Sequence, residues 1–162
     1  MGRNYKEYIV LDTGIWVKGL KKDEYLREAY IVLQFMNEKD VGMAVDEDGL
    51  IFKEYRDNFP RNCREKRNFE LWMKQLFSKQ KISLVNYRLT DEIKADLVRV
   101  KFHEEEDWVF IGTALNSDKI IVSEDSDYGI KGEKGHEEAF QYLTGRLALR
   151  LYSSSSYVNE MV

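Results

Sequence analysis

This chain has little that could serve covalent cross-linking, soft-metal binding or membrane insertion. Cys63 is the only cysteine among 162 residues, so no intrachain disulfide can form. There are two histidines, His103 and His136. Neither has a partner at useful spacing, so both read as surface residues, and zinc, which usually takes His or Cys, is disfavoured. No apolar run approaches the roughly 18 residues of a membrane span. The Met1-Gly2-Arg3-Asn4 start lacks an apolar signal core. A soluble, cytoplasmic protein without a membrane partner is expected. Pro60 is the one proline and breaks the chain there. No internal repeat or linker is visible, so residues 1–162 read as a single domain.

Apolar and charged residues are both plentiful. The hydrophobic fraction of 43% can build a core, and the charged fraction of 33% suits a solvated, helix-rich surface. The net charge of -4 does not favour nucleic acid as a partner and does not exclude it. Basic residues dominate one stretch: Lys53, Arg56, Arg61, Arg64, Lys66, Arg67, Lys74, Lys79 and Lys81 stand against Glu54, Asp57, Glu65 and Glu70. Such a stretch fits a phosphate backbone, or equally a solvated helix face with Glu/Lys pairs.

Short apolar runs predict strands at 5–11, 41–45, 82–85 and 120–123, with a last one around 147–151. Helical spacing fills the gaps. A short helix passes Trp16 and Leu20, and Asp23 is expected to cap a helix over 24–37. Further helices are expected from Asp46 or Asp48 to Asn58, over 62–79, from Thr90 to Phe102, from Glu104 through Leu115, and over 136–144. Ser153-Ser154-Ser155-Ser156 reads as a loop before a terminal turn. Trp16, Trp72 and Trp108 read as core. Alternation of strands and helices predicts an α/β fold, a three-layer α/β/α sandwich around a central, mostly parallel sheet.

Two of these strands run straight into acids. The first ends at Asp12, and the fourth at Glu124, Asp125 and Asp127. Open α/β sheets bind ligands at the carboxyl ends of their strands. Glu54 sits among Leu50, Ile51 and Tyr55, where a carboxylate is costly unless paired or metal-bound. Asp107 follows Glu104, Glu105 and Glu106, which read mainly as charges complementing a helix start. Asp12 can equally be a helix cap. Carboxylates with no His or Cys beside them favour hard cations, Mg²⁺ or Mn²⁺, and hence phosphate chemistry.

Four segments together resemble the PIN domain nucleases. They are Asp12-Thr13 after the first strand, Leu50 to Tyr55 around Glu54, Asp107 to Leu115, and Val122 to Tyr128. The likeness spans nearly the whole chain. Departures are Gly14, where a small polar residue is usual, Ser123 in place of Thr, and an apparent insertion at 136–144. The resemblance implies a PIN-like fold and a Mg²⁺- or Mn²⁺-dependent endoribonuclease. Asp12, Glu54, Asp107 and Asp125 would form its acidic quartet, with Asp127 an auxiliary ligand and Thr13 and Ser123 steadying the carboxylates. Glu54 would complete the site or orient the attacking water. Lys53, Arg56, Arg61 and Arg64 could hold the strand, RNA more readily than DNA. The resemblance also allows a toxin paired with an antitoxin, an RNA-processing or defence role, and a homodimer.

Other classes fit less well. A haloacid-dehalogenase phosphatase needs a second Asp where Gly14 stands. A response-regulator receiver needs a phosphoacceptor that residues 82–85 do not offer. A von Willebrand type adhesion site fails at Gly14 and Trp16. The remaining alternative is a catalytically inactive PIN-like module that binds metal or protein.

Overall fold

The computed structural model describes residues 5–61 and 63–162. The expected lack of a signal core at residues 1–4 and the expected helix start at 62 lie outside them. Five strands form one sheet: β1 (Glu7–Leu11), β2 (Val41–Asp46), β3 (Ile82–Val85), β4 (Ile120–Val122) and β5 (Arg150–Tyr152). Their order is β3-β2-β1-β4-β5, and every pairing is parallel. The register sets Ile9 beside Met43 and Leu11 beside Val122.

All six residues of β2 are buried, as a strand covered on both faces requires. Helix α1 (Thr13–Leu20) and helix α2 (Arg27–Glu38) follow β1. Helices α3 (Leu50–Asp57) and α4 (Arg64–Ser78) join β2 to β3, and α5 (Asp91–Arg99) and α6 (Glu105–Leu115) join β3 to β4. A short α7 (Glu137–Gln141) precedes β5, and α8 (Ser154–Met161) follows it. Helix α2 packs on α1, α8 and β2, while α6 packs on β1, β2 and β4. The result is a three-layer α/β/α sandwich.

Asp23 does not cap α2. It lies in a short 3-10 turn, Lys22–Glu24, and Leu26 at the N-cap makes no side-chain bond. The tertiary contact with α1 sets the start instead, because Leu26 N donates to Lys18 O at 2.7 Å. The serine run is not a loop either. Ser153 Oγ accepts from Ser156 N at 3.1 Å and Ser156 Oγ accepts from Ser153 N at 2.9 Å, a reciprocal cap that opens α8. The last strand begins later than expected. The chain first makes a π-turn over Tyr142–Arg146, and Ala148 then takes a φ of 56°.

Local contacts fix the elements that frame the sheet's carboxyl end. The fully buried Asp46 accepts from Asp48 N, Leu50 N and Ile51 N, which locks the β2–α3 corner. Tyr55 OH donates to Leu11 O and ties α3 to the end of β1. Asn116 Nδ2 donates to Asn86 O at 2.8 Å, holding the segment after β3 against α6. At Gly112 the two backbones nearly touch: a Cβ there would lie 1.7 Å from Tyr87 O. Gly112→Ala should therefore cost about 2 kcal/mol or more of unfolding free energy, the middle of the usual range for overpacking or above it. Urea denaturation reads the difference, and wild-type stability in that variant would contradict the close approach.

Candidate active site

Strand order reverses between β1 and β4, since the chain builds outward to β3 and then returns to the other side of β1. Such a switch point leaves a crevice at the carboxyl ends of its two strands. Asp12 and Ser123 are the first residues past those ends. Asp12 N donates to Val122 O at 3.0 Å, so the two strand ends stay in register up to the crevice.

A polar network spans the crevice. Ser123 Oγ donates to Asp12 Oδ2 at 2.7 Å and accepts from Asp125 N at 2.9 Å. The other Asp12 oxygen accepts from Thr13 N at 2.9 Å, so Asp12 is also the cap of α1. Asp125 Oδ1 in turn accepts from Asp127 N at 2.9 Å, which folds the post-β4 segment into a tight turn, Ser126–Tyr128. The Ser123 hydroxyl thus holds the Asp12 carboxylate and the Asp125 backbone at once.

Asp107 enters from the first turn of α6 and Glu54 from the middle of α3. Asp107, Asp125 and Asp127 each offer a carboxylate oxygen, all within 4.8 Å of one another. Asp12 and Glu54 stand outside that set but near enough to act electrostatically on Asp107. Asp127 is therefore more central than a reading in which it only assists. Glu124 is engaged elsewhere. Its oxygens meet Lys131 Nζ at 2.6 Å and Ser154 Oγ, and its side chain is 2% exposed. Burial opposes ionisation of Glu124, but Lys131 and Ser154 outweigh it and hold the carboxyl below its usual range.

Among the described residues, the acids of the crevice have no lysine to do the same. Burial is the main cause that pushes Asp12 up to about 6, with repulsion from Asp125 and Asp127 adding to it and the Ser123 and Thr13 hydrogen bonds opposing it. Burial, then Asp12, raises Glu54 to about 7 and Asp107 to about 8. Among the described residues no lysine or arginine forms an ion pair with Asp12, Glu54, Asp107 or Asp125. His136 Nε2, half-buried, lies 3.8 Å from Asp127 Oδ1 and is nearer the acids than its spacing in sequence suggested. Thr13 Oγ1 and Tyr128 OH are buried with no hydrogen-bond partner among the described residues. Thr13 favours the ionised Glu54 only from beyond hydrogen-bond geometry. Oxygen donors alone, excess negative charge and unpartnered hydroxyls fit a hard divalent cation.

No protein-family model and no curated protein matches this chain. A solved structure, VapBC2 from Rickettsia felis bound to a DNA fragment from their promoter, is similar at a TM-score of 0.49 and 12% identity. The likeness covers 90% of this chain and 98% of that chain. At that level it carries no functional argument.

Beside the acids lies a groove of about 910 Å³ between α3, the segment after β3, and α6. It meets the acids at Glu54 and Glu106. Lys53 lines it, whereas Arg56, Arg61 and Arg64 are exposed outside its lining. Arg88 and Lys94 also line it. They gave no signal in the sequence, because tertiary contacts hold the segment after β3 in place: Tyr87 against Gly112, Asn86 on Asn116 and Tyr87 on Asp48. Trp108, expected in the core, is half-buried and forms part of this wall.

The raised carboxylates fix a pH dependence. Their ionised forms are disfavoured by folding, so their contribution to stability is fully present below about pH 4, their unfolded range. It is lost as pH rises through about 6, 7 and 8 for Asp12, Glu54 and Asp107. The buried Asp12 accounts for roughly 2–3 kcal/mol of that loss; the half-buried pair contributes less per unit, owing to solvent screening. In EDTA, Asp107→Asn should melt about 2–4 °C above wild type at pH 8 and level with it at pH 4. A difference in melting temperature that does not vary with pH would contradict this.

Proposed function

We propose that this chain is a PIN-type, Mg²⁺- or Mn²⁺-dependent endonuclease that hydrolyses phosphodiester bonds, with RNA as its substrate. The observation that carries the reading is the convergence of Asp107, Asp125 and Asp127 at a switch point where Asp12 and Glu54 add further charge. Asp107, Asp125 and Asp127 would hold the cation, with Asp12 and Glu54 completing the acidic set. A bound divalent ion supplies charge neutralisation and Lewis acidity at a phosphate oxygen.

The chain's own groups do the positioning. Ser123 Oγ fixes Asp12 Oδ2, so that carboxylate does not rotate away from the crevice. Glu54, close enough to Asp12 to feel its charge, would complete the site or orient the attacking water. Tyr128, buried under the acids, stays protonated because burial and the surrounding carboxylates raise its hydroxyl. Arg56, Arg61 and Arg64 present exposed positive charge to the strand on the α3–α4 side, with Lys53, paired to Asp57, beside them. In this reading residues 1–162 act as one domain in the cytoplasm, and an antitoxin or a second copy of the chain are the partners to seek. Among the described residues no helix is long and apolar enough to cross a membrane.

Asp125→Asn should keep the wild-type circular dichroism spectrum. It should lose cleavage of single-stranded RNA in Mn²⁺ by more than the roughly 10–100-fold typical of losing an outer-shell partner. Gel assays of labelled RNA measure this, and full activity would sink the assignment. Stabilisation of the wild type by Mn²⁺ with RNA and single-stranded DNA both left intact would favour a metal-binding module instead.

A further inference from the structure

The groove beside the acids combines features that the cleavage reaction does not use. One wall carries Trp108, with its Nε1 anchored to Phe102 O at 2.8 Å, next to Val109 on α6. The opposite side is α3, with Leu50 and Lys53. The third is the segment Tyr87-Arg88-Leu89, followed by Lys94 on α5.

That third wall is built rather than loose. Gly112 admits the Tyr87 backbone against α6, Asn116 holds Asn86 O, and Tyr87 OH donates to Asp48 Oδ2 at 2.8 Å. The groove's volume of about 910 Å³ lies within the range of small-ligand pockets, roughly 300–1,000 Å³.

Charge is divided along this groove. Glu54, Glu105 and Glu106 line it from α3 and the start of α6, and Lys53 is taken up by Asp57, also in the lining, at 2.8 Å. Arg88 and Lys94 are exposed and have no ion-pair partner among the described residues. An aromatic and aliphatic wall flanked by two free cations matches a ligand that offers flat rings and anionic groups in alternation. Single-stranded nucleic acid has that chemistry. A duplex does not, because its bases are stacked inward and unavailable to a side wall.

We infer that this groove is a nucleotide subsite. It would hold an unpaired nucleotide next to the scissile bond, with the base against Trp108 and Leu89 and a neighbouring phosphate on Arg88 and Lys94. The inference rests on the nuclease reading for which bond is cut, but not for binding itself. It assigns part of substrate selection to residues 87–94 and Trp108, which lie outside the acidic quartet and outside the basic stretch from Lys53 to Arg64. The acids would then do the chemistry, and this wall would admit unpaired strands and exclude paired ones.

The test separates binding from cutting. A fluorescein-labelled single-stranded RNA of about a dozen nucleotides, the matching single-stranded DNA and the RNA duplex are titrated with the protein in EDTA over a range of salt. Fluorescence anisotropy gives affinity and salt slope. Arg88→Glu/Lys94→Glu should weaken single-strand binding at least tenfold. It should also reduce the salt slope by about 1.4, because each phosphate neutralised on a single strand contributes roughly 0.7. Trp108→Leu should weaken binding about fivefold or more, and Trp108→Phe should restore most of that affinity.

The two charge reversals lie on exposed side chains, so they remain informative if Trp108→Leu does not fold. Unchanged affinity and slope in the charge-reversed protein would overturn the inference, as would duplex binding as tight as single-strand binding. Cleavage is assayed separately in Mg²⁺. Groove-dependent binding without cleavage would sink the nuclease reading and leave the subsite standing. Cleavage with binding indifferent to the groove would do the reverse.

Discussion

The hydrogen bond from Ser123 to Asp12 joins the two halves of the molecule at the place where its chemistry is concentrated. The sheet grows outward from β1 in one direction and from β4 in the other, so the ends of these two strands form the junction between the halves of the sheet. Ser123 Oγ closes that junction and receives Asp125 N. One hydroxyl therefore ties the Asp12 carboxylate to the backbone that carries Asp125, although the two acids repel each other. Asp127 follows from Asp125 through the next turn, and Asp107 arrives on the helix that packs over β1, β2 and β4.

The cost of this arrangement is visible in the same groups. Asp12 is 6% exposed and Asp107 half-buried, yet neither has a basic partner among the described residues. Acids elsewhere in the fold are treated differently. Asp46 is fully buried but receives three backbone N–H groups, and Glu124 is buried but receives Lys131 and Ser154. The fold can therefore satisfy buried carboxylates, and at one spot it leaves a few of them with too little compensation to offset burial and mutual repulsion. Uncompensated electrostatic cost of this kind collects at functional sites.

Much of the fold was legible because buried parallel strands are short, apolar and bounded by acids or glycine. Ile9-Val10-Leu11 before Asp12 and residues 41–45 between Asp40 and Asp46 show this, and helical spacing filled the intervals. The misses share one cause, a local cue displaced by a tertiary or backbone one. Asp23 looked like a cap, but the return of Leu26 to α1 set the helix start. The serine run looked featureless, but its hydroxyls cap α8 reciprocally. The candidate acids were legible as strand-end and helix-start residues. Their relative weight was not, because Asp127 gains its place from the turn that Asp125 induces. The far wall of the groove was silent in sequence, since tertiary contacts of Asn86 and Tyr87 hold the segment that carries Arg88.

The central claim is that the crevice between β1 and β4 is built around a divalent cation. Crystals of the wild-type protein grown with Mn²⁺ would test it most directly, through anomalous difference density collected at the manganese edge. The account predicts a peak at Mn–O distances of roughly 2.0–2.2 Å from oxygens of Asp107, Asp125 and Asp127, with water filling the remaining positions. A cation held elsewhere, or an unoccupied crevice in crystals saturated with Mn²⁺ at neutral pH, would contradict it.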